Sequence, residues 1–128
     1  MDCSKRKLLH VNLSVKDLEK ELEFYIETLN FKVIERYDNG NREFVFISDG
    51  NVTYELFEKE GIEATTFDHI AYESEDIEAD YNHFKNMEPC PLTTEIGYAD
   101  FLFDNGVYYF FIKGPGNERI EFCQKKIK

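Results

Sequence analysis

The chain has 128 residues, near the usual size of one compact domain and enough to bury a core without disulfide staples. Its hydrophobic content of 42% and aromatic content of 16% belong to a globular chain and exclude a disordered one. A formal net charge of −11 argues against nucleic acid, whose phosphates need clustered Lys and Arg, and against anionic membrane surfaces.

The first segment, 7–14 (KLLHVNLS), reads as a strand, and 17–29 reads as a helix. Leu18, Leu22, Tyr25, Ile26 and Leu29 recur there at steps of three and four and make one buried stripe. Asp17 is the N-cap candidate, with Ser14 the alternative if the helix starts earlier. Strand-like runs follow at 31–37, 42–48 and 52–58, separated by Asn39-Gly40 and Asp49-Gly50-Asn51, which are hairpin signals. The order then repeats. A strand is expected at 67–73 and a helix at 75–87 with Ile77, Tyr81, Phe84 and Met87 on one stripe. Strand-like segments are expected at about 92–97, 100–103, 107–112 and 119–124. The acidic runs Asp17 to Glu23 and Glu75 to Asp80 read as solvated helix faces.

The three cysteines, Cys3, Cys90 and Cys123, are odd in number and form no CxxC. With no signal-like N-terminus and no apolar run near the ~20 residues of a membrane span, a reduced, cytoplasmic protein is expected. Cys123 reads as a small core residue.

The two halves match residue by residue. His69, Asp76 and Glu78 each follow His10, Asp17 and Glu19 by 59 residues. Repeat one is expected at about 7–58 and repeat two at about 67–124, within one domain covering 1–128. Each is a short sheet with one helix, so each leaves a sheet face to be covered. Strand alternation sets His10, Asn12 and Ser14 opposite Leu9, Val11 and Leu13. It likewise puts Glu55 opposite Tyr54 and Leu56, His69 opposite Asp68 and Ile70, and Glu121 opposite Ile120 and Phe122. Each half therefore offers one His near its start and one Glu on its last strand, 45 residues apart in the first half and 52 in the second. The extra residues fit a longer loop at 113–118. Two imidazoles and two carboxylates suit a divalent ion such as Ni, Zn, Co, Fe or Mn. His83, on a helix and without a partner at ligand spacing, reads as a surface residue.

The twofold βαβββ pattern with His10, Glu55, His69 and Glu121 resembles the vicinal oxygen chelate superfamily, which includes glyoxalase I, methylmalonyl-CoA epimerase, extradiol dioxygenases and the fosfomycin and bleomycin resistance proteins. The most specific pieces are residues 8–33, DHIAYES at 68–74 and GPGNERIEF at 114–122. The resemblance implies an α+β fold in which two βαβββ repeats form a curved mixed sheet. It also implies a divalent metal held by His10, Glu55, His69 and Glu121. Dioxygenases and fosfomycin enzymes of the family typically use two His and one Glu, and the epimerase has Gln where Glu55 stands. Bleomycin-binding members usually lack the ligands. The His-Glu-His-Glu set is that of bacterial glyoxalase I, which implies isomerisation of a 2-oxoaldehyde–thiol hemithioacetal to a 2-hydroxyacyl thioester through an enediolate. Glu121 and Glu55 are then the proton-moving candidates, Glu121 first. Bacterial relatives imply a homodimer with metal sites between subunits.

The chain also departs from that pattern. The family's Asp-Pro-Asp-Gly-x-x-Ile-Glu motif is Gly114-Pro115-Gly116-Asn117-Glu118-Arg119-Ile120-Glu121 here. The Arg that holds glutathione at the end of the first strand is replaced within Asn12-Leu13-Ser14-Val15. The Asn expected after the second ligand is missing from Leu56-Phe57-Glu58-Lys59. Arg42, Arg119 and Lys113 could compensate but read first as surface residues, so the thiol, glutathione or another, stays open. Two further readings stand beside glyoxalase chemistry. One is an epimerase or dioxygenase of the same fold. The other is a binding module for an aromatic or cationic molecule, suggested by Tyr108-Tyr109-Phe110-Phe111 and by Tyr98 to Phe103. Ordinary strand core is the plainer account of those aromatics.

Overall fold

The computed structural model describes residues 6–127. Cys3 lies outside that range. Two compact units divide the described residues, one spanning His10–Asp68 and the other comprising residues 6–9 and 69–127. The fold is α+β, with two βαβββ repeats each built on a mixed sheet.

The first repeat comprises β1 (Leu8–Val15), α1 (Leu18–Glu27), β2 (Lys32–Asp38), β3 (Glu43–Ser48) and β4 (Thr53–Glu58). Its strands lie in the order β2-β3-β4-β1. β1 and β4 run parallel, and β3 is antiparallel to both β2 and β4. Asp17 starts α1 as expected, its carboxylate accepting the Lys20 N–H at 3.2 Å. Ser14 instead stays inside β1, buried. The helix covers one sheet face, where Leu13, Val15, Leu18, Leu22, Val45 and Leu56 pack together. Both hairpin signals act as read. Gly40 and Gly50 take φ of 94° and 99°, which no β-carbon tolerates easily. The Asn39 and Asp49 side chains each accept two backbone N–H groups of their own turn. Those bonds, from Val52 first and Asn51 second, hold the Asp49 carboxyl below its usual range.

The second repeat comprises β5 (Thr66–Glu73), α2 (Ile77–Lys85), β6 (Gly97–Ala99), β7 (Val107–Lys113) and β8 (Arg119–Lys125). The strand order β5-β8-β7-β6 mirrors the first half, with β5 and β8 parallel and β7 antiparallel to β8 and β6. Asp76 caps α2 as Asp17 caps α1, accepting from Ala79 N–H at 3.0 Å. Ile77, Phe84, Phe110 and Phe122 form the core beneath α2. A second equivalence links the helices to the last strands. The Leu18 N–H donates to Glu58 at 3.1 Å and the Ile77 N–H to Gln124 at 2.9 Å, three residues after Glu55 and Glu121 respectively.

Two of the expected strands do not form. Residues 92–97 make only an isolated bridge, Leu92 with Ile112, before the three-residue β6. Pro91 has no N–H to give a ladder. In the same stretch the Thr94 hydroxyl, rather than a carbonyl, accepts the Phe111 N–H at 2.9 Å. Residues 100–103 form a turn, because Phe103 and Asp104 sit at φ of 55° and 64°, a left-handed conformation that ends extended pairing. Among the described residues no helix is long and apolar enough to cross a membrane.

Candidate metal centre

The first half brings His10 and Glu55 together. β1 and β4 pair in parallel with Asn12 opposite Glu55, so His10, one alternation earlier, reaches the same carboxylate. His10 Nε2 lies 3.2 Å from Glu55 Oε1, with side-chain exposures of only 3% and 7%. Phe46 is opposite Glu55 on β3, and its ring meets the His10 imidazole edge-on at 5.5 Å.

The second half repeats this arrangement. β5 and β8 pair in parallel with Ala71 opposite Glu121. His69 Nε2 lies 3.3 Å from Glu121 Oε1. Phe111 is opposite Glu121 on β7 and meets the His69 ring edge-on at 5.1 Å. On the same face as Glu121, Cys123 is buried against Ala71 and Val107, in keeping with its reading as core. Cys90 is exposed.

All four predicted ligands thus fall into two matched pairs, one in each unit, with each residue on the strand and face that alternation assigns. The donor set fits a divalent ion. Two donors bound at about 2.1 Å and set 90–110° apart lie roughly 3.0–3.4 Å from one another. Both Nε2–Oε1 separations fall in that interval. Burying a carboxylate beside an imidazole is costly unless something shares the charge, as a proton or a metal does.

His83 is exposed on α2, where its ring meets Phe84 edge-on at 5.3 Å, as expected of a surface residue. Phe110 and Tyr108 belong to the core beneath α2, which accounts for half of the aromatic run, while Phe111 faces His69. Arg119 stands over the Phe111 ring at 4.4 Å, and Arg42 over Phe57 at 4.6 Å. Ser14, where glutathione-using relatives are expected to carry Arg, is fully buried and uncharged. Glu58, in the stretch that lacks the expected Asn, is committed to the start of α1. The altered turn before Glu121 is held by Glu118, whose carboxylate accepts the Gly116 N–H at 2.8 Å and folds over Gly114 where a β-carbon would collide with it.

One participant escaped the sequence reading. Asn12 is 1% exposed and its Nδ2 donates to Glu55 Oε1 at 2.5 Å. The only signal in the sequence was an amide two residues after His10, on the same strand face.

The model of the Glyoxalase/Bleomycin resistance protein/Dioxygenase superfamily matches residues 7–122. The uncharacterized protein YwbC of Bacillus subtilis is 32% identical, over 94% of this chain and 98% of its own length. A protein of Vibrio parahaemolyticus named probable lactoylglutathione lyase is 28% identical, over 96% of this chain and 94% of its own. Among solved structures, hypothetical protein BH1468 of Bacillus halodurans superposes with a TM-score of 0.76 at 22% identity, covering 98% of both chains. Methylmalonyl-CoA epimerase of Mycobacterium tuberculosis superposes at 0.73 and 15% identity, over 94% of this chain and 88% of that one. With the family model spanning both His/Glu pairs, the chain belongs to the Glyoxalase/Bleomycin resistance protein/Dioxygenase superfamily.

Proposed function

We propose that the protein is a metal-dependent lyase of the glyoxalase I type, converting a 2-oxoaldehyde–thiol hemithioacetal to a 2-hydroxyacyl thioester. The observation that carries this reading is the presence of a carboxylate in both pairs, Glu55 beside His10 and Glu121 beside His69. One divalent ion would be held by His10, Glu55, His69 and Glu121, the two pairs coming from one chain or from two chains of a homodimer. Phe24, Ile34 and Phe67, exposed by 52%, 53% and 76%, give the first unit apolar surface that a second copy would cover. A reducing, cytoplasmic setting is our reading of the odd number of cysteines without a CxxC pair.

A divalent ion, when bound, supplies a Lewis acid that favours negative charge on substrate oxygens. The chain's own part is proton transfer. A Glu121 oxygen takes the proton from the carbon bearing sulfur and hydroxyl. The electron pair of that C–H bond forms a double bond to the neighbouring carbon, whose carbonyl oxygen takes the charge, giving the enediolate. The same carboxyl returns the proton to the neighbouring carbon, the hydroxyl proton passes between the oxygens, and the thioester carbonyl forms at the first carbon. The phenyl rings of Phe46 and Phe111 flank the imidazoles and exclude water from their edges.

The expected result is methylglyoxal turnover in the presence of a thiol, abolished by a chelator and restored by Ni, Co, Zn or Mn. No turnover with any thiol tried, glutathione included, and any of these metals contradicts the reading. The alternative is epimerisation, favoured by the structural likeness to methylmalonyl-CoA epimerase. Exchange of an acidic C–H proton in a 2-methyl-branched acyl thioester, without any thiol-dependent reaction, would select it.

A further inference from the structure

In the first unit, the sheet face that carries His10 and Glu55 continues as an aromatic floor. Alternation puts Phe44 and Phe46 of β3 and Phe57 of β4 on that face, with Phe46 opposite Glu55. The Phe44 and Phe57 ring centroids are 6.2 Å apart. Two residues of strand carry Phe57 about 6.6 Å along β4 from Glu55. Arg42, one residue before β3, keeps the alternation, and its guanidinium stands over the Phe57 ring at 4.6 Å. The Arg42 side chain is exposed and makes no ion pair among the described residues. Yet the chain has 26 Asp and Glu against 15 Lys and Arg. The carboxylates nearest in sequence and strand order are committed elsewhere. Glu43 accepts from Arg36 at 2.6 Å and 3.0 Å, and Glu58 accepts the Leu18 N–H at 3.1 Å. Arg36 also reaches Glu19 at 3.1 Å, so its guanidinium is spent on joining β2, β3 and α1. The Arg42 guanidinium rests on a ring instead.

We propose that Arg42 is a specificity-determining residue that receives an anionic group, carboxylate or phosphate, on the thiol half of the substrate. The inference deepens the glyoxalase-type reading above and rests on it. A guanidinium lying over a ring keeps its in-plane N–H donors, which match two oxygens of an anion at once. The ring also holds the group in place beforehand, so less side-chain freedom is lost when the anion arrives. A chain of net charge −11 repels anions at a distance, so an anionic substrate needs a local cation at the site. With the reacting carbons beside Glu55, the apolar stretch of the thiol crosses Phe44 and Phe57 and its charged end meets Arg42. A neutral thiol leaves the same guanidinium to water and gains nothing from it.

The test compares the metal-loaded wild type with Arg42→Gln and Arg42→Lys. Methylglyoxal is assayed with glutathione, glutathione dimethyl ester, coenzyme A and 2-mercaptoethanol. The wild type is expected to prefer an anionic thiol in kcat/KM. Preference for glutathione over its ester marks a carboxylate, and preference for coenzyme A marks a phosphate. Arg42→Gln is expected to raise KM for the preferred anionic substrate by about 10-fold with kcat retained. It is also expected to flatten the rise of that KM with ionic strength. Arg42→Lys, which keeps the charge and loses the planar fork, falls between. A merely structural Arg42 would lower the melting temperature and raise KM for anionic and neutral thiols alike. That outcome overturns the proposal, as does a wild type with no preference for an anionic thiol. Calorimetric binding of S-methylglutathione and S-methyl coenzyme A is independent of turnover. Affinity weakened about 10-fold by Arg42→Gln, without turnover of any thiol, keeps the anion site and removes the glyoxalase-type reading. Turnover with equal affinity of wild type and Arg42→Gln for both ligands removes only the role of Arg42.

Discussion

Glu121→Gln is expected to lower kcat for hemithioacetal isomerisation by about 10²- to 10⁴-fold, with little change in melting temperature. The reason is local. Gln keeps the length and one acceptor oxygen of Glu, so the 3.3 Å approach to His69 and the β8 register survive. It has no basic oxygen with which to take a proton from carbon. A steady-state assay with methylglyoxal and the best thiol, beside a thermal melt, checks both halves of the expectation. A variant with near wild-type kcat shows that another group moves the proton, with Glu55 the first alternative.

Phe110→Ala is expected to destabilise the fold by about 3–5 kcal/mol. Phe110 is 0% exposed and stacks on Phe122 with ring centroids 5.3 Å apart and planes inclined by 11°. Its ring also meets Tyr81 and Phe84 of α2 edge-on, at 5.3 Å and 6.0 Å. Truncation removes the ring contacts that join β7, β8 and α2 and leaves a cavity in their place. Urea unfolding measures the loss. Phe67→Ala, at a side chain 76% exposed, serves as the contrast and is expected to stay within about 0.5 kcal/mol. Equal effects of the two substitutions contradict the placement of the second core.

Most of this architecture was legible in the sequence because its signals are local. Helical stripes and the glycine turns at Gly40 and Gly50 act within a few residues. The structure buries Leu18, Leu22, Ile77 and Phe84 and turns at both glycines. Ile26, Leu29 and Met87, expected on the same stripes, are exposed, Leu29 and Met87 because the helices end before them. The metal-site candidates were legible for a different reason. The repeat supplies two copies of one pattern, so alternation along four strands could be checked twice. What failed was the stretch from 92 to 103. Its β-branched and aromatic residues look like strand, but left-handed Phe103 and Asp104 and the donor-less Pro91 decide the backbone there. Asn12 was hidden because its partner lies 43 residues away and is identified only by the parallel register of β1 and β4. Glu118 is a similar case, since its folded-back carboxylate supplies the acceptor that the altered turn motif lost, and this depends on side-chain geometry.

If each half contributes one His/Glu pair to a single divalent ion, as proposed above, calorimetric titration of Co(II) with elemental analysis of the wild type, His10→Ala and His69→Ala will show it. The expected result is one ion per chain in the wild type and, in both variants, affinity lowered by at least about 10-fold. Binding that survives either substitution at wild-type affinity, or a wild type that takes up no ion, rules that arrangement out.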